Sequence, residues 1–342
     1  MSNSSGQKQT QVVLITLLVM ALLSLLLAGC IGSVLIGPSE LLLACRDLLQ
    51  GKIDNLNATL LDLRLHRALA AFVTGGTLAL AGVLMQALLR NPLADPYVLG
   101  ISGGAAVGAL TAMLWAGMAW MVDVAAFGGA VLVAGLLFFL AYRDFKGSGS
   151  TEGSSTTLLL TGVIVGSGCV ALIALLLSVS PDSRLRSMVF WMIGDLSATK
   201  PRYLNWIVML GVLIFVSRQA RDINVSALYA DSATTLGVSV GRLRKTMFVC
   251  AALLTASAVS SAGSIGFVGL IMPHACRFAW GPDHRLLLPA SCLAGGTFLV
   301  LADTLARTLI APQQLPVGVI TALIGVPIFL LQLHQQRQHH VR

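Results

Sequence analysis

The chain has 342 residues, of which 56% are hydrophobic and only 11% charged, with a mean hydropathy of +0.86 and a net charge of +8. That composition excludes a water-soluble domain and marks an all-α polytopic membrane protein. The positive charge is spread over many short loops, so it is a topology signal and no footprint for nucleic acid.

The six cysteines contain no C-x-x-C and lie mostly within apolar runs, so neither a disulfide framework nor a metal site is expected. A polar tail, residues 1–11, precedes an uncharged run at 12–39. Leu27-Ala28-Gly29-Cys30 there matches a lipoprotein cleavage box, but the run continues apolar beyond it and further spans follow, which favours a retained first helix. Residues 40–62 are mixed and amphipathic, the pattern of a loop outside the membrane. Arg64-Leu65-His66-Arg67 then opens a second span at 68–89. Arginines three apart share a helix face and form a compact positive patch, which on residue type alone suits a lipid headgroup anchor.

Pro92 and Pro96 end that helix and start a loop. Spans follow at 100–120, 124–142 and 158–179, separated by a Gly/Ser-rich stretch at 143–157. Gly100-Ile101-Ser102-Gly103-Gly104 satisfies G-x-S-x-G, so an intramembrane serine peptidase with Ser102 as nucleophile and His274 as base is one alternative. Helix packing asks for the same small residues and produces the match without chemistry. No G-x-x-x-x-G-K-[ST] occurs, so the chain binds no nucleotide by that route.

Residues 181–200 are too broken by charge to cross, although 188–193 suits the interface. A short sixth span occupies 203–217. The polar loop 218–245 carries helical patterning over 227–236 and a terminating Gly237, as a solvated connector or a docking element for a soluble partner would. The run 246–276 is then uncharged for 31 residues, too long for one span and too short for two. Gly263, Gly266, Gly269 and Pro273 interrupt it. Broken backbone at membrane depth persists only when buried in protein or lining a cavity, so this segment is expected to line a substrate path. The run divides into a seventh span at 246–260 and a short eighth at 267–279. Spans at 286–302 and 314–333 complete ten, with Asp303 and Arg307 four apart closing the ninth and a polar tail at 334–342.

Ala81-Gly82 with Pro92, and Ala262-Gly263 with Pro273, share one spacing at an offset of 181 residues; Gly103-Gly104 and Gly295-Gly296 echo at 192. Interrupted segments in two halves point to a repeat, spans 2–5 against 7–10, and an odd number of crossings between them makes it inverted. Counted by loop, thirteen lysines and arginines lie on one side and nine on the other, which puts both tails in the cytoplasm. Arg64, Arg67 and Arg307 then share the outside. A secondary transporter driven by ions would need acids within the membrane, and only Asp123 and Asp303 are near it, at span ends.

Arg64 to Arg67, residues 86–100 with the core Arg90-Asn91-Pro92-Leu93-Ala94-Asp95-Pro96, Phe190 to Gly194, Gly263 to His274, Gly281 to Arg285, Ala302-Asp303 to Arg307, and Leu315-Pro316-Val317-Gly318 occur in one order. Together they resemble the permease subunits of bacterial iron-chelate and cobalamin ABC importers, over residues 12–333. The resemblance implies a single ten-helix permease domain, homodimeric in the bacterial inner membrane. It implies a separate ATPase dimer on the cytoplasmic side, a periplasmic substrate-binding protein outside, and no cofactor or catalytic residue. It also implies roles: Arg64, Arg67 and Arg307 receive the binding protein, Asn91 and Leu93 form a cytoplasmic gate, and Ala227, Leu228, Asp231, Leu236 and Gly237 touch the ATPase. There are three departures from the family: His66 for proline, Gln314 for glutamate, and Tyr229-Ala230 for Gly-Asp/Glu in the coupling loop.

Overall fold

A computed structural model describes residues 3–34, 36–51, 55–115, 118–142, 151–197, 203–228 and 233–340. Among them every regular element is a helix: α1 (Asn3–Cys30), α2 (Pro38–Leu49), α3 (Leu56–Leu89), α4 (Ile101–Trp115), α5 (Ala119–Leu140), α6 (Thr151–Ser178), α7 (Asp182–Ile193), α8 (Tyr203–Ser217), α9 (Ala220–Leu228), α10 (Val240–Ala262), α11 (Val268–Trp280), α12 (His284–Thr308) and α13 (Val317–His340). A 3₁₀ turn, Pro96–Leu99, lies between α3 and α4. Six helices, α1, α3, α5, α6, α10 and α12, are long and apolar enough to cross a bilayer, and α8 bent by 64° into α9 adds a seventh. The remaining expected spans are the shorter α4, α11 and α13.

The centre of the bundle is α3. Of its most apolar window 89% is buried, against 28% for α1 and 22% for α6, so α3 is a core helix and the other two are peripheral. It packs against α1, α8, α10, α11 and α12. Its 34 residues span roughly 50 Å, well beyond a hydrocarbon core of about 30 Å, so one end projects.

Several expectations are corrected. Residues 40–62 are not a loop: they hold α2 and the first turns of α3, whose start lies twelve residues before the expected one at 68. Arg64 and Arg67 accordingly sit inside a helix. α10 begins at Val240, inside the loop expected to run to 245, and so takes in Arg242, Arg244 and Lys245. Asp303 and Arg307, by contrast, close α12 on one helical face and pair there, as their spacing predicts. The helix expected over 227–236 is instead α9, Ala220–Leu228, followed by turns over 233–237. Most of the Gly/Ser-rich stretch, residues 143–150, lies outside the described residues, and α6 begins directly after it.

The break in 246–276 is real but shorter than expected. Gly263 ends α10 at φ +71° and Phe267 precedes α11 at the same left-handed φ, so only residues 263–267 leave the helix. Gly269 and Pro273 lie inside α11. Pro273 cannot donate to the Gly269 carbonyl one turn back. That carbonyl instead meets the backbone of α3 at Gly82, where an added methyl would overlap the Gly269 oxygen. A Cα–H contact covers the freed acceptor, and only glycine permits the approach.

The two sequence echoes do not survive in three dimensions. Gly82 lies mid-helix and Gly263 at a helix end, while Gly103-Gly104 lies in α4 and Gly295-Gly296 in α12. What recurs is an arrangement: a long helix, a left-handed residue, a short helix. It occurs as α3, Arg90 and α4, and again as α10, Gly263 and α11.

Candidate functional site

At the projecting end of α3 the three arginines converge, although none is a free surface charge. Arg64 and Arg67 share one face of α3, as Asp303 and Arg307 share one face of α12. Asp303 is wholly buried and receives both neighbours. Arg67 donates Nε to both carboxylate oxygens at 3.0 Å and Nη2 to Oδ1 at 2.8 Å. Arg307 Nε meets Oδ2 at 3.0 Å. The remaining Nη1 of Arg67 donates to Gln314 Oε1 at 2.7 Å. Arg64 turns the other way and donates to the carbonyls of Gly29 and Cys30 at 3.3 Å, and to that of Val34. It thereby satisfies acceptors that the end of α1 leaves open.

These groups border a cleft of about 460 Å³ whose walls include Arg64, His66, Arg67, Ser197, Arg307 and Gln314. Arg67 and Arg307 face one buried carboxylate, Arg64 adds a third cation bound only to carbonyls, and Asp62 at the rim pairs with His66 at 3.2 Å. The cleft therefore carries excess positive charge suited to an incoming carboxylate. Sequence reasoning found the arginines but missed that Asp303 joins them across 236 residues; the i,i+4 spacing of Asp303 and Arg307 was the available signal.

The loop after α3 is stiff. Arg90 caps the helix in the left-handed region at φ 50° and donates Nη2 to the Ser226 carbonyl on α9 at 2.9 Å. Asn91 Oδ1 accepts from Leu93 N at 2.9 Å, which fixes the turn that leaves Leu93 exposed. Asp95 caps the 3₁₀ turn by accepting from Tyr97 N at 2.7 Å. Desolvation raises the Asp95 carboxyl to about 6 against the lowering effect of that N–H, and burial together with Asp95 pushes the Tyr97 phenol up. Asn91 and Ala227 line one cleft of about 520 Å³, so the structure brings the expected gate and coupling elements together.

Of the other coupling positions, Leu228 ends α9, Leu236 is exposed, and Gly237 takes φ +84° in the turn after it. Asp231, with Tyr229 and Ala230, lies outside the described residues.

In the broken segment a methyl on Gly263 would overlap the Trp191 carbonyl at the end of α7, and Asp195 N donates to Ala262 O at 3.0 Å. Gly269 is closed between Leu78 and Pro96, and Pro273 is buried. Of the four residues expected on the path, Gly266 has open space beside it. Gln86 Nε2 supports the start of α11 by donating to Leu270 O at 3.2 Å. The phenol of Tyr97, which the sequence did not single out, donates to Ile265 O at 3.0 Å and accepts from Ile265 N at 3.1 Å.

The peptidase alternative gains nothing from this geometry. Ser102 lies in the first turn of α4, where Gly100 just before the helix and Gly103 within it close on Gly166 and Cys169 of α6, whereas His274 packs edge-on against Phe329 of α13 at 6.4 Å. No group of three or more histidine, cysteine or acidic side chains among the described residues could hold a metal.

A family model described as the FecCD transport family matches residues 14–335. Among curated relatives, an uncharacterized ABC transporter permease of Bacillus subtilis is 41% identical over 82% of this chain and 79% of its own length. A cobalamin import system permease of Halobacterium salinarum is 40% identical over 80% and 73%. A vitamin B12 import system permease of Salmonella typhimurium is 36% identical over 93% of both chains. Among solved structures, a metal-chelate type ABC transporter in an inward-facing conformation matches with a TM-score of 0.79 and 27% identity, over 95% of this chain and 99% of the other.

Proposed function

The chain belongs to the FecCD transport family, and from that premise we propose that it is the membrane permease of an ATP-driven importer that carries a bulky metal chelate from periplasm to cytoplasm by alternating access. Cobalamin leads among the cargoes, because relatives 36% and 40% identical are named for it; ferric siderophore and haem are the alternatives. The observation that carries the reading is the match along nearly the whole chain to permeases of this kind.

In this reading the subunit pairs with a second copy in the bacterial inner membrane, with both termini cytoplasmic. A substrate-binding protein docks by carboxylates at the cleft of Arg64, Arg67 and Arg307, and the charge excess there supports that assignment. Leu93, held out by Asn91, closes the cytoplasmic end. A separate ATPase dimer meets Ala227, Leu228, Asp231, Leu236 and Gly237, of which Ala227, Leu236 and Gly237 are exposed, and its hydrolysis shifts the balance between outward and inward states. Gly266 borders the path. The chain itself is a transport subunit and not an enzyme.

Uptake into proteoliposomes tests this. The chain, its ATPase and the binding protein are reconstituted and supplied with labelled cobalamin, ferric siderophore or haem, with and without ATP. ATP-dependent accumulation of one of them is expected. Uptake that ignores ATP and collapses with an uncoupler, or no response of the ATPase to binding protein, sinks the proposal.

A further inference from the structure

Ile265 sits in the middle of the five-residue break and is buried, with its N–H and C=O outside any helix. Burial without partners would be costly for both groups. One hydroxyl serves them: Tyr97 accepts from the Ile265 N–H at 3.1 Å and donates to its carbonyl at 3.0 Å, across 168 residues of sequence. Tyr97 belongs to the loop that Arg90 anchors, at its other end, to Ser226 of α9. Between the anchors the backbone has little freedom. Pro92 and Pro96 fix their own φ, Asn91 closes one turn and Asp95 caps the next. The ring of Pro96 also lies against Gly269 of α11.

We infer that residues 90–100 form a strut, with Tyr97 as the positioning residue that ties the broken segment 263–267 to the coupling side of the molecule through Arg90 and Ser226. The inference rests on the permease reading, in which α9 leads to the ATPase surface and Leu93 sits at the gate. Neither the break nor α9 can then shift without carrying the loop between them, so one motion serves gate and path. Tyr97→Phe keeps the ring and removes the hydroxyl. It uncouples the break from the loop while leaving both in place.

The test uses the full complex in proteoliposomes with cyanocobalamin as probe, reading ATP hydrolysed per cobalamin accumulated. The Tyr97→Phe complex is expected to answer binding protein with ATPase activity within about twofold of the parent, and to spend roughly tenfold more ATP per cobalamin, the scale set by losing one or two hydrogen bonds. Arg90→Gln should raise the ratio similarly, and the double variant no further, since both cut one connection. A parent ratio in Tyr97→Phe, or a parallel loss of uptake and ATPase that leaves the ratio unchanged, overturns the strut. A parent complex without ATP-dependent uptake would instead strike the permease reading. Hydrogen exchange on the parent complex serves where a variant does not assemble and needs no cargo: ATP must change protection at 90–100 and 263–267 together, and a change in one alone overturns the inference.

Discussion

Asp303→Asn removes the one charge that two buried guanidiniums share. At about 3 Å and an effective dielectric of about 20, each guanidinium–carboxylate attraction is roughly 5 kcal/mol. The two cations repel each other and the carboxylate has lost its water, so the sum overstates the effect; breaking a buried pair by removing one partner costs about 3–5 kcal/mol. Asparagine still accepts one hydrogen bond from Arg67, which places the expected loss near the lower end, at about 3 kcal/mol. The measurement is unfolding of the purified chain in mixed micelles as the denaturing detergent fraction rises, followed by helicity. Adding Arg67→Met should cost less in the Asp303→Asn background than in the parent, with a coupling of about 1–3 kcal/mol. A loss under about 1 kcal/mol, or strictly additive costs, would mean that water screens the pair and that the cleft is not a desolvated charge cluster.

Further outcomes follow from other sites. Because the Asp95 carboxyl is raised to about 6, the folded chain binds more protons than the unfolded chain between roughly pH 4 and 6. Stability attributable to this group is therefore present at low pH and lost as pH rises through that window. Asp95→Asn, which keeps the acceptor for Tyr97 N, should abolish that part of the pH slope and stabilise the chain at pH 7; an unchanged slope refutes the assignment. Gly82→Ala puts a methyl into the Gly269 carbonyl and should destabilise by about 1–3 kcal/mol through forced separation of α3 and α11, so wild-type stability would disprove the close approach. Ser102→Ala should leave ATP-driven uptake within about twofold of the parent; abolished function would revive the peptidase.

The parts of the fold legible in the sequence were those that local chemistry decides. α8 lies over 203–217 as its apolar run predicts, and α11 is displaced by one residue from the expected 267–279. Errors arose where a charge was read as a boundary. Arg64 and Arg67 look like the end of a membrane span, yet α3 continues past them because α1 and α12 supply acceptors that no local window contains. Arg242, Arg244 and Lys245 misplaced the start of α10 in the same way. Proline misled in the opposite direction: Pro273 stays helical because Gly82, on another helix, covers the carbonyl it frees. For the site, residue types were legible from motif order and geometry was not. The arginines were in view, but their shared counter-ion, the phenol of Tyr97 and the Ser226 anchor depend on pairings 136 to 236 residues apart.

The pairing of Arg67 with Asp303 also orders the birth of the molecule. Translation at about 5–20 residues per second puts roughly ten to fifty seconds between the two side chains. For most of that interval α3, which ends at Leu89, is complete while its counter-ion has not been made. A lone guanidinium is poorly tolerated in hydrocarbon, so the projecting end of α3 must wait in the headgroup region, with α1 already available to Arg64, until α12 arrives and draws Arg67 inward. Nascent chains that keep Arg67, carry Ala68→Cys as the sole cysteine and are arrested before residue 303 should expose that thiol to a membrane-impermeant reagent, and chains extended beyond α12, whose Ala302 and Ala306 pack with Ala68, should protect it; equal labelling at both lengths would separate insertion from the closing of the ion pair.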